Sequence, residues 1–541
     1  MELIENIKHI APDASVEEGK IPTITVLPTH YRQVAEELRN NPNLSFDFLI
    51  CMTGCDWGDS LGVISLLQST VHEHKVFLKT YTTNRENPEL PTVSDIWGTA
   101  NLNEREVFDF LGIRFINHPD MRRLFLRTDW VGYPLRKDYD ASESINPVRL
   151  YSDDTLDTTP TYEATPEGEI SEKENILFED DEYVVNIGPQ HPATHGVLRF
   201  RVSLEGEIVK KVDVNCGYIH RGIEKLCETL TYPQTLAMTD RLDYLAAHHN
   251  RHALCLCIED ALGIEVPERV KYIRTIMDEL QRLSSHLLFW SSLCMDMGAL
   301  TAFFYGFRDR EKVLDIMEET TGGRLIQNYN TIGGLMADIH PDSIRRIKEL
   351  IKYLPPMLKE YHEVFTGNII AQERLKHIGI LTRGNAISYG VTGPAGRASG
   401  WSCDVRKHTP YGVYDKVDFK EILYTEGDSF SRYMVRMDEI VESIHILEQL
   451  VDNIPAGDYA VKTPAIIKLP EGHYFRSVEA SRGEFGVYIE SRGDKYPYRM
   501  KFRSPCLTLV SVVDQLTKGN KIADLIAIGG TLDYVVPDLD R

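Results

Sequence analysis

Between residues 197 and 215 apolar and polar side chains alternate. Leu198, Phe200, Val202 and Leu204 share one side, Arg199, Arg201 and Ser203 the other, and Glu205-Gly206 interrupts the run. A period of two with a glycine at the break predicts a β-hairpin. Earlier, the runs "IPTITV", "FDFLICMT", "LGVISLLQ" and "KVFLKTYT" are rich in β-branched and aromatic residues and read as strands. They lead into "SDIWGTANLNEREVFDFLGI" (94–113). There Ile96, Trp97, Ala100, Val107, Phe108 and Leu111 recur at helical spacing, with Ser94 as the expected cap. From about residue 221 to 375 the helical period dominates, as in "VPERVKYIRTIMDELQRLSSHLLFW", where Pro267 sits near a helix start. Beyond 380, glycine-rich loops separate short elements, and no internal repeat is present.

Residues 151–182 hold twelve Asp or Glu against one lysine, Lys173, so this stretch has little apolar surface to offset the entropy of ordering. Segment 141–182 is therefore expected to be an acidic linker, flexible or laid on the surface. The expected class is α+β: a small α+β domain over 1–140, the linker, and a larger, mainly helical domain over 183–541 that opens with the hairpin. A length of 541 residues fits two to four domains. The net charge of −22 argues against sequence-independent binding to nucleic acid. The most apolar long window, 283–300, carries His286 and Asp296 and reads as a buried helix, not a membrane span. The start "MELIENIKHIAPDAS" has no secretory pattern, and nine irregularly spaced cysteines suggest reduced thiols in the cytoplasm.

The polar chemistry concentrates in a few places. In "NIGPQHPATHG" (186–196), His191 and His195 stand four apart among Gly188, Pro189, Pro192 and Gly196, which shape a loop and rule out a helical face. Without a helix the pair is no zinc motif, and no acidic third ligand follows. No C-x-x-C pair occurs, so an iron–sulfur or nickel–thiolate centre held wholly by this chain is not expected. Cys51 and Cys55 can touch across a turn, but nothing completes a site there. "GVTGPAGRASG" (390–400) has Pro394 where a phosphate-binding helix should begin, so no nucleotide cradle is expected. What remains is the histidine loop, "GYIHRGIEK" (217–225), "TDRLDYLAAHHNRH" (239–252) and Asp296. Each taken alone has an ordinary structural explanation.

Taken together, "GPQHPATHGVLR", "GYIHRGIEK", "TDRLDYL", "TGPAGRASGWSCDVRKHTPY", "RGEFGVYIESRGDKYPYRMKFRSP" and "DLIAIGGTLDYVVPDLDR" resemble the D subunit of the NADH-quinone oxidoreductases, respiratory complex I, from about 183 to the terminus. "DIWGTANLNEREVFDFLGIRFINHPDMRRLFLRTDWVGYPLRKDYD" (95–140) resembles the C subunit of the same enzymes, as in C/D fusions. The resemblance implies a hydrogenase-large-subunit-like domain that has lost its metal. Quinone, menaquinone or ubiquinone, would be reduced in the vacated cavity beside a terminal 4Fe–4S cluster held by the partner B subunit. By motif position, His195 and Tyr244 would donate to the quinone, His191 would line the site, and Asp296 would stand behind His195 and fix its tautomer. Arg221 and Arg241 would lie near the cluster. The I subunit and the membrane-arm H and A subunits would be further partners, with the chain peripheral on the cytoplasmic side of the bacterial inner membrane. The chain itself would bind no metal and no nucleotide.

The chemistry agrees with those roles. Reducing a quinone puts negative charge on its oxygens, so donors must already be aimed there. An imidazole, with an ordinary pKa of about 6.5, delivers a proton at neutral pH, and a tyrosine is a replenishable donor. One departure stands out: where the family often reads "GARMHxxY", this chain reads "GGRLIQNY", with Ile326 in place of a histidine expected near the cluster. A shallow pH dependence of the cluster potential is therefore expected. Asn215-Cys216 replaces a common Pro-His before "GY", which bears on local packing. The basic run "HPDMRRLFLRTDWVGYPLRKD" reads as an assembly surface complementary to acidic partners. Two other readings stay open: a membrane-bound hydrogenase large subunit, disfavoured by the missing thiolate pairs, and a non-catalytic scaffold for cluster-bearing partners.

Overall fold

A computed structural model describes residues 8–140, 157–165, 169–179, 181–190 and 196–541. Contacts divide the chain into two units. The first is 1–185 with 215–220 and 387–390; the second is 186–214, 221–386 and 391–541.

In the first unit the β-rich runs form a five-stranded sheet. Its spatial order is Ser15–Glu17, Thr23–Val26, Lys75–Thr82, Leu61–Gln68, Phe48–Asp56. Only the Thr23–Val26/Lys75–Thr82 pairing is parallel. The helix Pro28–Asn40 buries Tyr31, Val34, Ala35 and Leu38 at i, i+3, i+4 and i+7, a single apolar stripe. The second helix starts at Ala100, not near Ser94, and ends at Leu111 before Gly112 in the left-handed region (φ 74°). Residues 94–99 form turns instead, because Ser94 Oγ bonds Thr92 Oγ1 (2.8 Å) and Glu104 fastens the same turn. Glu104 Oε2 accepts from the Thr92 hydroxyl (2.5 Å) and Oε1 from the Val93 N–H (2.8 Å), and burial pushes its carboxyl up to about 8. Gly54 lets this helix lie against the sheet: a β-carbon there would stand 2.4 Å from Leu111 Cδ1.

Two expectations change here. Cys51 and Cys55 lie on one strand, Phe48–Asp56, and not across a turn; four residues of extended chain separate them by roughly 13 Å. Part of the expected acidic linker is folded. Thr158–Ala164 and Ile170–Ile176 pair as an antiparallel hairpin, with Thr159, Thr161 and the following Phe178 buried. Residues 141–156 lie outside the described residues.

The second unit opens with the strands Tyr183–Gln190, Leu198–Glu205 and Ile208–Asn215, in that order, the last two joined through Gly206 (φ 62°) as the alternation predicts. Helices follow, chief among them Ala247–Leu262, Glu268–Asp296, Leu300–Thr321, Pro341–Tyr361 and Ser429–Leu450. A second antiparallel sheet, Gly472–Ala480, Gly483–Ser491 and Arg499–Arg503, packs against Ala247–Leu262. The Glu268–Asp296 helix begins directly after Pro267 and runs through the core, burying Leu283, Leu287, Trp290 and Leu293. Its polar residues are paired inside. Glu279 accepts from Tyr414 (2.6 Å) and Ser443 (2.6 Å), and His286 Nε2 meets Glu439 Oε2 at 2.8 Å. A short helix, Gly393–Ala398, does form here with Pro394 in its first turn, where proline fits. It carries Arg397 onto Glu439 (2.5 Å) and Glu479 (2.6 Å). No helix among the described residues is long and apolar enough to cross a membrane.

Candidate functional site

Tyr244 stands in the short connection between the helices Tyr232–Thr239 and Ala247–Leu262. The preceding residue fixes this connection. Asp243 is buried, accepts the Leu245 N–H (3.0 Å) and receives Arg482 NH1 (3.0 Å). Arg482 in turn donates to the Asp533 carbonyl (2.7 Å), the Asp533 carboxylate (3.2 Å) and Ser285 Oγ (3.0 Å). Asp243, Arg482 and Asp533 thus tie three distant chain segments together next to Tyr244 in sequence. Burial pushes the Asp243 carboxyl up to about 6 against the pull of Arg482. The half-buried Tyr244 phenol is pushed up by burial and by Asp243, while Arg482 and Arg310 pull it down.

Asp296 ends the Glu268–Asp296 helix, half-buried, and its carboxylate has no hydrogen-bond partner among the described residues; burial pushes it up to about 6. It faces bare backbone: a β-carbon on Gly530 would lie 3.6 Å from Asp296 Oδ2. Arg221 and Arg241 come together, Arg221 NH2 donating to the Arg241 carbonyl (2.9 Å) and the Pro537 carbonyl (3.2 Å). Both are exposed, and among the described residues neither forms an ion pair. His191 and His195 lie outside the described residues, as does any contact they make with Tyr244 or Asp296.

The remaining histidines of "TDRLDYLAAHHNRH" are core groups. His248 and His252 both direct Nδ1 at the Asp278 carboxylate, 2.8 Å each, which holds that acid well below the usual range against the cost of burial. Among the described residues the one grouping with metal-ligand geometry is Glu319, His340 and Asp342. Glu319 is already held by Ser343 (3.1 Å) and Arg346 (3.5 Å), and His340 Nδ1 accepts the Asp342 N–H as a helix cap.

The arginines of the basic run of the first unit are engaged internally. Arg123 bonds Asp109 (3.0 Å), Arg122 bonds Asp120 (2.8 Å), Arg127 bonds Asp129 (2.8 Å), and Arg136 bonds the Leu111 carbonyl (2.7 Å). Asp109 also takes the N–H groups of Leu124, Phe125 and Leu126. These contacts hold the run in place.

Comparison with known proteins gives the setting for these residues. Residues 24–144 match the family model of the respiratory-chain NADH dehydrogenase 30 kDa subunit, and 296–468 and 464–541 match that of the 49 kDa subunit. The NADH-quinone oxidoreductase C/D subunit of Phocaeicola vulgatus is 68% identical over 94% of this chain and 97% of its own length. The chain belongs to the family of NADH-quinone oxidoreductase C/D subunits. A more distant C/D protein, from Sulfurihydrogenibium, is 36% identical over 97% of this chain and 96% of its own. The separate D subunit of Desulfotalea psychrophila is 46% identical over 68% of this chain and 99% of its own. The chain is thus a C/D subunit of complex I, working as part of that multisubunit oxidoreductase. Sequence motifs pointed to Tyr244, Asp296 and the two arginines. Arg482 and Asp533 were missed, because their partners are remote in sequence and no spacing rule joins them.

Proposed function

We infer that the second unit carries the quinone-reducing site of the complex, with Tyr244 as a proton donor to the headgroup. The observation that carries the reading is the setting of Tyr244: a half-buried phenol held on an immobilised backbone beside Asp243 and Arg482, in a chain of this family. A donor fixed before the reaction costs no reorganisation when charge develops on the quinone oxygen. The phenol gives up its proton in the same step and regains it readily, given its high pKa. Asp296, ionised above about pH 6, would orient and recharge His195. Electrons would come from the 4Fe–4S cluster of the partner B subunit. The exposed guanidinium groups of Arg221 and Arg241 would lie toward it and favour its more negative, reduced form. The I subunit and the membrane-arm H and A subunits complete the surroundings. The chain would sit peripherally on the cytoplasmic face of the inner membrane, coupling redox energy to proton pumping in its partners. Residues 1–140 serve assembly.

The test is Tyr244→Phe in the assembled complex. Loss of the hydroxyl should lower quinone reductase turnover at least tenfold, with NADH still reducing the clusters as read by EPR. Wild-type turnover would refute the assignment.

A further inference from the structure

Two amide side chains from different helices hold the backbone on either side of Tyr244. Asn250, in the first turn of the Ala247–Leu262 helix, donates from Nδ2 to the Asp243 carbonyl (3.1 Å) and to the Thr239 carbonyl (3.3 Å). Gln281, midway along the Glu268–Asp296 helix, donates from Nε2 to the Leu245 carbonyl (2.8 Å). Both side chains are buried, and each acceptor is a carbonyl oxygen, so only the NH2 group can face it. Their own oxygens, Asn250 Oδ1 and Gln281 Oε1, are buried without a donor among the described residues. Burying an amide with its oxygen unpaired costs free energy, yet both amides direct their donors at the one connection.

The direction of the Tyr244 side chain is set by the two peptide planes that meet at its Cα. The plane before it contains the Asp243 carbonyl, which takes the Asn250 amide and the Ala246 N–H (3.0 Å). The plane after it contains the Leu245 N–H, which donates to Asp243 Oδ1 (3.0 Å), and Arg482 holds that carboxylate through Oδ2 (3.0 Å). The next plane contains the Leu245 carbonyl, held by Gln281. Arg482 also donates to Ser285 Oγ, one turn beyond Gln281. The Glu268–Asp296 helix thus grips the connection at two points, directly through Gln281 and by way of Arg482 through Ser285.

We propose that Asn250 and Gln281 are positioning residues of the quinone site: by holding the Asp243 and Leu245 carbonyls they aim the Tyr244 hydroxyl at the headgroup oxygen. This rests on the quinone reading above. Both amides act through Tyr244 and not on the quinone. A misplacement of about 1 Å in a reacting group costs a rate about a hundredfold, and a loosened connection spreads the phenol over positions of which few are productive. An interaction that matters only as the proton moves lowers kcat more than it raises KM when it is lost.

The experiment is a double-mutant cycle in the assembled complex. Gln281→Met and Asn250→Leu are made alone and combined with Tyr244→Phe, and assayed with a short-tailed benzoquinone. Alone, each amide variant should lower kcat by about fivefold or more, with KM within about twofold of wild type and cluster reduction by NADH retained in EPR. Added to Tyr244→Phe, which has no hydroxyl to aim, each should lower kcat further by less than about twofold. Double variants that show the product of the two single losses would mean that the amides act independently of the phenol; that overturns the proposal and leaves the quinone reading in place. A rise in KM larger than the fall in kcat contradicts it equally. Wild-type kcat in either amide variant, beside an impaired Tyr244→Phe, removes that residue from the role. Wild-type turnover in Tyr244→Phe overturns both the quinone reading and this one. Gln281→Glu and Asn250→Asp keep the shape and lose the donor, and they serve the same cycle if an apolar variant does not assemble. If none of the four assembles, the amides are folding residues and the proposal is wrong.

Discussion

Replacing Glu224 with glutamine isolates one charge in the motif "GYIHRGIEK" and leaves its shape intact. Glu224 is buried and receives Arg499 NH2 (2.6 Å), with Lys501 Nζ at 3.6 Å and Arg541 Nε at 3.8 Å. It also accepts the Phe502 N–H (3.2 Å). It joins the Ile223–Cys227 helix, the Arg499–Arg503 strand and Arg541. Burial works against the charge, but the three cations prevail and hold the carboxyl at about 2, down from 4.5. At about 1.36 kcal/mol per pKa unit this corresponds to about 3 kcal/mol, comparable with the cost of breaking a buried pair from one side. A lowered carboxyl contributes stability that is complete above about pH 4.5 and is lost as pH falls toward 2. Hydrogen exchange followed by mass spectrometry reads this locally. At pH 7, amides of 499–503 in Glu224→Gln should lose protection by roughly a hundredfold, since each 1.4 kcal/mol is a factor of ten. The wild type should approach the variant as pH falls, while the variant stays flat. Wild-type protection in the variant would show that the three cations do not depend on Glu224.

Three further outcomes follow. Gly306→Ala places a methyl 2.0 Å from Ser291 Oγ and 2.9 Å from Trp290 Cε3, so it should destabilise the Glu268–Asp296/Leu300–Thr321 pair by about 1–3 kcal/mol; an unchanged melting temperature would contradict the packing. The Asp296 carboxyl, raised to about 6, is neutral below that pH. Quinone reductase activity should therefore fall on an acid limb near pH 6 that Asp296→Asn lacks, and an identical limb in the variant would remove Asp296 from the proton path. With Ile326 in place of a histidine, a potentiometric titration followed by EPR should give a shallow slope of cluster potential with pH, and Ile326→His should steepen it; a steep wild-type slope would refute this.

The sequence was most informative where one local rule acts alone. The 198–215 hairpin follows from alternation plus Gly206, and the long helix from Pro267 and a helical period. Local rules failed where a distant group decides. Ser94 does not cap a helix because Glu104 ties Thr92 and Val93 into a turn. The acidic stretch folds in part because Thr159, Thr161 and Phe178 find a buried side despite the charge around them. Arg123 of the basic run looks free until Asp109, on the preceding helix, is placed beside it. The candidate site divides in the same way: Tyr244 and Asp296 stand out by motif, but Asp243, Arg482 and Asp533 act through contacts between remote segments, which no spacing reveals.

The central claim is that quinone is reduced beside Tyr244. Photolabelling the assembled complex with a photoreactive short-tailed quinone, and mapping adducts by mass spectrometry, tests it most directly. Adducts within 239–248 and 186–196, displaced by excess unlabelled quinone, are the predicted result; displaceable adducts confined to other segments or to other proteins of the complex would contradict it.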